Sequence, residues 1–381
     1  MSTLTFDRAP LRVYWELTRA CDLACRHCRA EAVRERARDE LTTEECEGVL
    51  AALARADGPA PHVIFTGGDP LKRPDLVRLI DAAVARGLGV SVAPSATQSL
   101  THDALHALKD AGVSAMSLSI DGPSPALHDG LRGVLGCFGW TLAAAQRIVG
   151  AGIPLQINTL VSSETEPYLE ETATLAGRLG ASRWSLFFLI SVGRGRALRS
   201  LTAAECERTL RWLARNAGRW PFVTSTTEAP HYRRVLLQMA REEGRPGAEA
   251  HANARGRGFG IRDGNGIMFI AANGDVTPSG FLPLSAGNVR THDPLALYRE
   301  SALFRALRTP ERFEGRCGAC EFVRICGGSR ARAWAATGDV LSEDPLCAWQ
   351  PRPERPGPAA ARPAWEEVGA MSGPQAKGRP S

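Results

Sequence analysis

The chain has 381 residues, 44% of them hydrophobic, with a formal charge of +5; that is enough apolar content for one large core or two modest ones and excludes a chain disordered throughout. Five Lys or Arg against three Asp or Glu in residues 351–381 supply about +2 of the charge, so the body is only mildly basic and nucleic-acid binding is not called for. No stretch approaches the roughly 20 apolar residues of a membrane span, and the opening MSTLTFDRAPLRVYWEL lacks the basic start and apolar run of a signal peptide, so the expected setting is the cytoplasm, with no membrane partner.

From residue 11 to about residue 190, short apolar runs alternate with amphipathic stretches opened by capping residues. Strands are expected at Arg12 to Leu17, His62 to Thr66, Gly89 to Pro94, Ala115 to Ile120, Leu155 to Val161 and Trp184 to Ile190. Helices are expected between them at Thr43 to Arg55, Pro74 to Arg86, Thr101 to Asp110, Trp140 to Ala151 and Glu166 to Leu179. Six βα units in series predict an α/β fold, a partial (β/α)6 TIM-like barrel with right-handed crossovers over residues 11–228, after a leader of residues 1–10. Chemistry in such a barrel sits at the carboxyl ends of the strands.

Past Ile190 the rhythm changes. A helix from Ala203 to Ala217, a short strand near Phe222 to Thr226 and a helix from Pro230 to Arg241 precede a Gly- and Arg-rich loop, Gly244 to Gly260. A hairpin follows, Ile267 to Ile270 and Asp275 to Thr277, turning at Asn273-Gly274. Residues 229–350 are read as a smaller C-terminal α+β domain. Residues 351–381, rich in Pro, Ala, Gly and Arg, cannot bury enough apolar surface to order and are expected to be a disordered tail.

Ten cysteines stand in the sequence. A long chain without an export signal meets a reducing cytosol, where clustered thiols more often hold metal than form disulfides. Cys21, Cys25 and Cys28 form one group and Cys317, Cys320, Cys326 and Cys347 a second. Cys46, Cys137 and Cys206 stand alone and read as reduced structural thiols, each a small hydrophobe.

The first group, Cys21-x3-Cys25-x2-Cys28, follows strand one directly. Three thiolates at this spacing can cap three irons of a cubane cluster that normally takes four Cys ligands, leaving one iron open to a ligand. Zinc completed by His27 is the alternative, but a His between two ligands is poorly placed to share their metal, and His27 is expected to pack against the cluster. The second group, Cys317-x2-Cys320-x5-Cys326-x20-Cys347, supplies four thiolates. That number closes either a complete 4Fe–4S cluster or a zinc ribbon.

The first motif resembles the signature of the radical S-adenosylmethionine (SAM) superfamily, and the likeness extends along the barrel. Thr66-Gly67-Gly68-Asp69-Pro70 resembles the Gly-Gly-Glu-Pro element that holds the methionine amino group of SAM, with Asp69 in place of Glu. The resemblance implies that Ser119 and Arg132 meet the SAM carboxylate, that Asn158 reaches the ribose, and that Ser95 or Thr97 lines the adenosyl pocket. It also implies Cys21, Cys25 and Cys28 as catalytic cluster ligands and a reduced flavodoxin or ferredoxin as electron donor. The activity implied is reductive cleavage of SAM to methionine and a 5'-deoxyadenosyl radical, which abstracts hydrogen from an unactivated carbon.

The second cysteine group is similar to the C-terminal part of the SPASM extension, whose fullest form carries two auxiliary clusters. Pro278-Ser279-Gly280 and Arg330 stand where further cysteines would lie, so one auxiliary cluster is expected, giving two 4Fe–4S clusters besides SAM. Its spacing resembles the radical enzymes of alternative haem biosynthesis, which implies side-chain modification or oxidative decarboxylation of a tetrapyrrole. Modification of a ribosomal peptide, or other cofactor maturation, is the other reading; many such peptide enzymes carry a peptide-binding domain ahead of the barrel, for which the residues before Leu11 leave no room, while some rely on a separate recognition protein. The chain is also similar to a SPASM group sharing the stretch Pro278 to Pro283, a likeness that implies no particular substrate. Arg194 and Arg196 after strand six, and Arg255, Arg257 and Arg262, are candidates to grip substrate carboxylates over the barrel mouth. A non-catalytic iron–sulfur electron carrier and a zinc-stabilised binding module are the rivals from other functional classes.

Overall fold

A computed structural model describes residues 6–244 and 260–351. Arg255 and Arg257, most of the Gly- and Arg-rich loop, the start of the leader and all but the first residue of the expected tail lie outside the described residues. Seven strands, β1 (Arg12–Glu16), β2 (His62–Thr66), β3 (Gly89–Val92), β4 (Ala115–Ser119), β5 (Leu155–Val161), β6 (Arg183–Phe188) and β7 (Val223–Thr227), run parallel in chain order. Helices α1 (Thr43–Leu53), α2 (Leu76–Val84), α3 (His102–Asp110), α4 (Pro125–Arg132), α5 (Cys137–Gly150), α6 (Leu169–Arg178) and α7 (Ala203–Asn216) connect them, and α8 (His231–Glu242) follows β7. This is the parallel α/β partial barrel that the periodicity predicts. Among the described residues, no helix is long and apolar enough to cross a membrane.

Local chemistry explains the elements. Thr42 caps α1 and Thr202 caps α7 in capping boxes with Glu45 and Glu205, two orphan backbone donors being satisfied reciprocally at each. Alternate strand residues such as Val13, Trp15, Val63 and Phe65 are fully buried in the main core, as a pleated surface covered by helices requires. Helix α4 is not among the sequence expectations because its eight residues hold few apolar side chains; it is bracketed by Pro125 and by Gly133 in a left-handed C-cap.

The hairpin forms as expected, with β8 (Ile267–Ile270) antiparallel to β9 (Asp275–Thr277) and Gly274 at φ +90° in the turn. Its place is the surprise. Strand β8 pairs in parallel with β1, Arg12 opposite Ile267 and Trp15 opposite Ile270, and β9 passes the sheet on to β10 (Gly287–Asn288). One sheet, ordered β10-β9-β8-β1-β2-β3-β4-β5-β6-β7, thus holds strands from both sides of residue 228. Helices α9 (Pro294–Glu300), α10 (Ala302–Arg308), α11 (Gly315–Gly318) and α12 (Arg330–Thr337) complete the C-terminal part.

Candidate active site and second cysteine site

The carboxyl ends of β1 to β6 surround an open-mouthed cavity of about 200 Å³. Cys21, Cys25, Cys28, His27, Gly67, Gly68, Ser95, Ser119, Arg132, Asn158 and Arg194 all line it. Residues scattered over 174 positions, from Cys21 to Arg194, therefore meet in one place. Asp69, Pro70 and Thr97 are not among its lining residues. Asp69 is buried behind the wall, where its carboxylate accepts from Thr97 Oγ1 at 2.9 Å and Leu71 N at 3.2 Å and so braces the turn.

Three remote segments clamp the cysteine loop through its backbone. Gly68 N donates to Thr18 O and Asp69 N to Ala20 O, both at 2.7 Å; Ala24 N donates to Arg132 O at 3.0 Å and Arg26 N to Leu131 O at 2.8 Å; Arg194 N donates to Cys28 O at 3.1 Å. Glycine is required at these crossings. A Cβ on Gly67 would stand 2.4 Å from Thr18 O and one on Gly68 2.3 Å from Ala20 O, so the Gly-Gly pair admits the cysteine loop itself, in addition to bordering the cavity.

Each of the three thiols has a donor aimed at it. Cys21 Sγ accepts from Leu23 N at 3.4 Å, Cys28 Sγ from Ala32 N at 3.5 Å and Cys25 Sγ from Arg132 Nη1 at 3.8 Å. Burial pushes the Cys21 and Cys25 thiols up, so a bound metal would be what deprotonates them. Donors converging on sulfur suit thiolates whose charge is shared with iron. Among the described residues the one group of three metal-ligating atoms mutually within 4.8 Å is His128, Asp129 and Cys137. There Asp129 is spent capping α5, accepting from Gly136 N and Phe138 N at 2.7 Å, and Cys137, raised to about 12 by burial, donates to the same carboxylate. Burial likewise lifts Cys46 to about 12 and raises Cys206, in keeping with reduced structural thiols.

Arg132 is less free than its expected role suggests. Its Nε and Nη2 lie 2.7 Å from Asp121 Oδ2, and Asp121, which no sequence motif singles out, also lines the cavity and accepts from Leu160 N at 2.9 Å. Burial alone would raise the Asp121 carboxyl, but Arg132 overrides it and brings it down to about 2. The folded pKa lies below the ordinary value of about 3.9, so the pair's stabilisation is complete above about pH 4 and is lost as pH falls through about 2. Chemical denaturation as a function of pH should show a shallower dependence between pH 4 and 2 in Asp121→Asn than in the parent; equal slopes would contradict the pairing. His27, brought down to about 4 mainly by burial, stays neutral beside them.

The remaining walls are apolar. Phe187 and Phe188 end β6, Leu189 and Ile190 follow it, and Phe281 reaches in from the C-terminal part; no sequence pattern marks these as cavity residues. Arg196 is exposed. Arg262 is buried away from the cavity, donating to Gly260 O and Leu307 O at 3.2 Å under the ring of Phe313, so it packs the C-terminal part and is not a cation of the barrel mouth.

The second cysteine group also converges. Cys317, on α11, joins Cys320, Cys326 and Cys347 around a small cavity of about 20 Å³ flanked by Phe322, Trp349, Arg234 and His231. Cys317 Sγ accepts from Asp344 N at 3.4 Å and from Arg330 Nη2 at 3.5 Å, and Cys320 Sγ accepts from Phe322 N at 3.4 Å. Arg330, buried to the last atom, stacks its guanidinium 4.5 Å from the Phe313 ring centre. All four thiols are unbridged.

Residues 15–176 match the family model described as the radical SAM superfamily. An AdoMet-dependent heme synthase of Oleidesulfovibrio alaskensis is 40% identical over 352 residues, 92% of this chain and 89% of that one. The chain belongs to the radical SAM superfamily. It is accordingly an enzyme of a superfamily that works with a 4Fe–4S cluster and SAM. A PqqA peptide cyclase of Rhizobium meliloti is 29% identical over 91% of this chain and 89% of that one. Among solved structures, SuiB of Streptococcus suis bound to S-adenosylmethionine superposes with a TM-score of 0.68 at 17% identity, over 89% of this chain and 77% of that chain, a likeness of fold.

Proposed function

We propose that Cys21, Cys25 and Cys28 hold the cluster that binds SAM, that the second cysteine group holds one auxiliary 4Fe–4S cluster, and that the substrate is a tetrapyrrole whose propionate side chains are modified. The observation that carries the substrate is the 40% identity, nearly end to end on both chains, to an AdoMet-dependent heme synthase. When bound, cluster and SAM together supply a 5'-deoxyadenosyl radical able to take hydrogen from an unactivated carbon, given an electron from a reduced flavodoxin or ferredoxin.

The chain's own residues supply position and shelter. The clamped loop fixes the three thiols against the sheet. Ser119 and Asn158 face the cavity from β4 and β5 as polar anchors for SAM, and Arg132 offers positive charge there while paired with Asp121. Phe187, Phe188 and Phe281 give an apolar, water-excluding wall on which a flat macrocycle can rest. At the second site four cysteines border one cavity, the number that closes every iron of a 4Fe–4S cluster.

Anaerobic reconstitution tests the reading. About eight irons per chain are expected for two cubanes. With SAM, dithionite and a porphyrin deuterated in its propionate methylenes, deuterium should pass into 5'-deoxyadenosine. Four irons with bound zinc would refute the auxiliary cluster, and deuterium transfer from peptides alone would refute the tetrapyrrole.

A further inference from the structure

Three guanidinium groups line the reaction cavity, those of Arg29, Arg132 and Arg194. Two are matched by carboxylates: Arg29 Nη1 lies 3.0 Å from Glu16 Oε2, and Arg132 lies 2.7 Å from Asp121. Arg194 differs, for its Nε and Nη2 are buried and have no hydrogen-bond partner. Those two nitrogens form one edge of the guanidinium, the edge that holds a carboxylate through two parallel N–H···O bonds. A buried cation with idle donors is costly and persists where a ligand supplies the acceptor. His27 Nδ1, on the same cavity wall, is also buried and unpartnered.

The position of Arg194 is fixed by the fold. Its backbone N–H donates to Cys28 O, and Gly193, at φ +51°, comes so close that a Cβ there would stand 2.6 Å from Cys28 O. We propose that Arg194 is a substrate-binding residue that grips a carboxylate arm of an otherwise apolar substrate, with His27 beside it. The assignment rests on the tetrapyrrole reading above for the identity of that substrate. The proposed SAM contacts run from Gly67 and Gly68 after β2 to Asn158 on β5, and Arg194 lies one strand further, after β6, which leaves its idle edge for the second ligand of the cavity.

The test uses the reconstituted holoenzyme with SAM bound and 13C-labelled propionate as probe, titrated by NMR. Arg194→Gln should bind propionate at least about tenfold more weakly than the parent, with Arg194→Lys in between because it keeps charge but loses the fork, and with SAM affinity unchanged in both. Equal propionate binding in parent and variants, no binding by the parent, or a loss of SAM affinity instead would each overturn the assignment. Iron content and melting temperature matching the parent's qualify a variant; if Arg194→Gln fails them, Arg194→Lys decides alone. A second titration compares a free-acid porphyrin with its methyl ester. Parent that binds propionate but neither porphyrin refutes the tetrapyrrole reading and leaves the carboxylate grip standing, whereas porphyrin binding without preference for the free acid refutes the grip.

Discussion

Asp344→Ala is expected to lose about 3–5 kcal/mol of stability, the scale on which a buried ion pair fails when one partner is removed. Asp344 is completely buried. Its carboxylate accepts from Ser329 N at 2.7 Å, from Leu346 N at 3.0 Å and from Arg332 Nη1 at 3.1 Å, with His231 Nε2 at 3.0 Å. Burial alone would raise this carboxyl, but Arg332 and His231 hold it well below the ordinary carboxylate range, so the charge is present at every working pH. Truncation strands the Arg332 guanidinium, whose other nitrogen already reaches Glu228 O at 2.8 Å. It also loosens the backbone N–H that Asp344 gives to Cys317 Sγ. Chemical denaturation should show the loss, and iron analysis should show the second site emptied while the first stays loaded. A change under about 1 kcal/mol, within the range of ordinary surface substitutions, would remove Asp344 as the hub of that region.

Gly68→Ala should do the reverse. The added methyl group would meet Ala20 O at 2.3 Å and Arg19 O at 2.6 Å, both rigid backbone atoms of the cysteine loop. Overpacking typically costs about 1–3 kcal/mol, and here the displaced segment is the one that carries Cys21. The expected outcome is protein that keeps iron at Cys317, Cys320, Cys326 and Cys347 but fails to load the first site, read by metal analysis and by loss of SAM-dependent change in the cluster's spectrum. Normal loading of both sites would show that the crossing of these loops tolerates a Cβ.

Repeating patterns made the barrel legible: alternating βα periodicity placed six strands within a few residues of their positions, and Asn273-Gly274 marked the hairpin. Cysteine spacing singled out both thiol groups, because ligands close in sequence are constrained to be close in space. Contacts between distant segments left no such trace. Nothing around Asp121 announces that it claims Arg132, eleven residues on, and nothing in Gly67-Gly68 tells a loop crossing from a ligand contact. Phe281 enters a cavity built by strands more than ninety residues earlier, a matter of how the C-terminal part folds back. Arg262 reads as a loop cation by composition, yet it is buried under Phe313.

The seating of β8 on β1 also bears on how this chain can be shortened. A fragment ending at residue 244 would leave Arg12 to Trp15 with the N–H and C=O groups that normally face Ile267 to Ile270 open to solvent. A bare hydrophobic rim of that kind recruits strands from other molecules, so such a fragment, with seven of the ten strands, should precipitate or form oligomers instead of behaving as an independent building block.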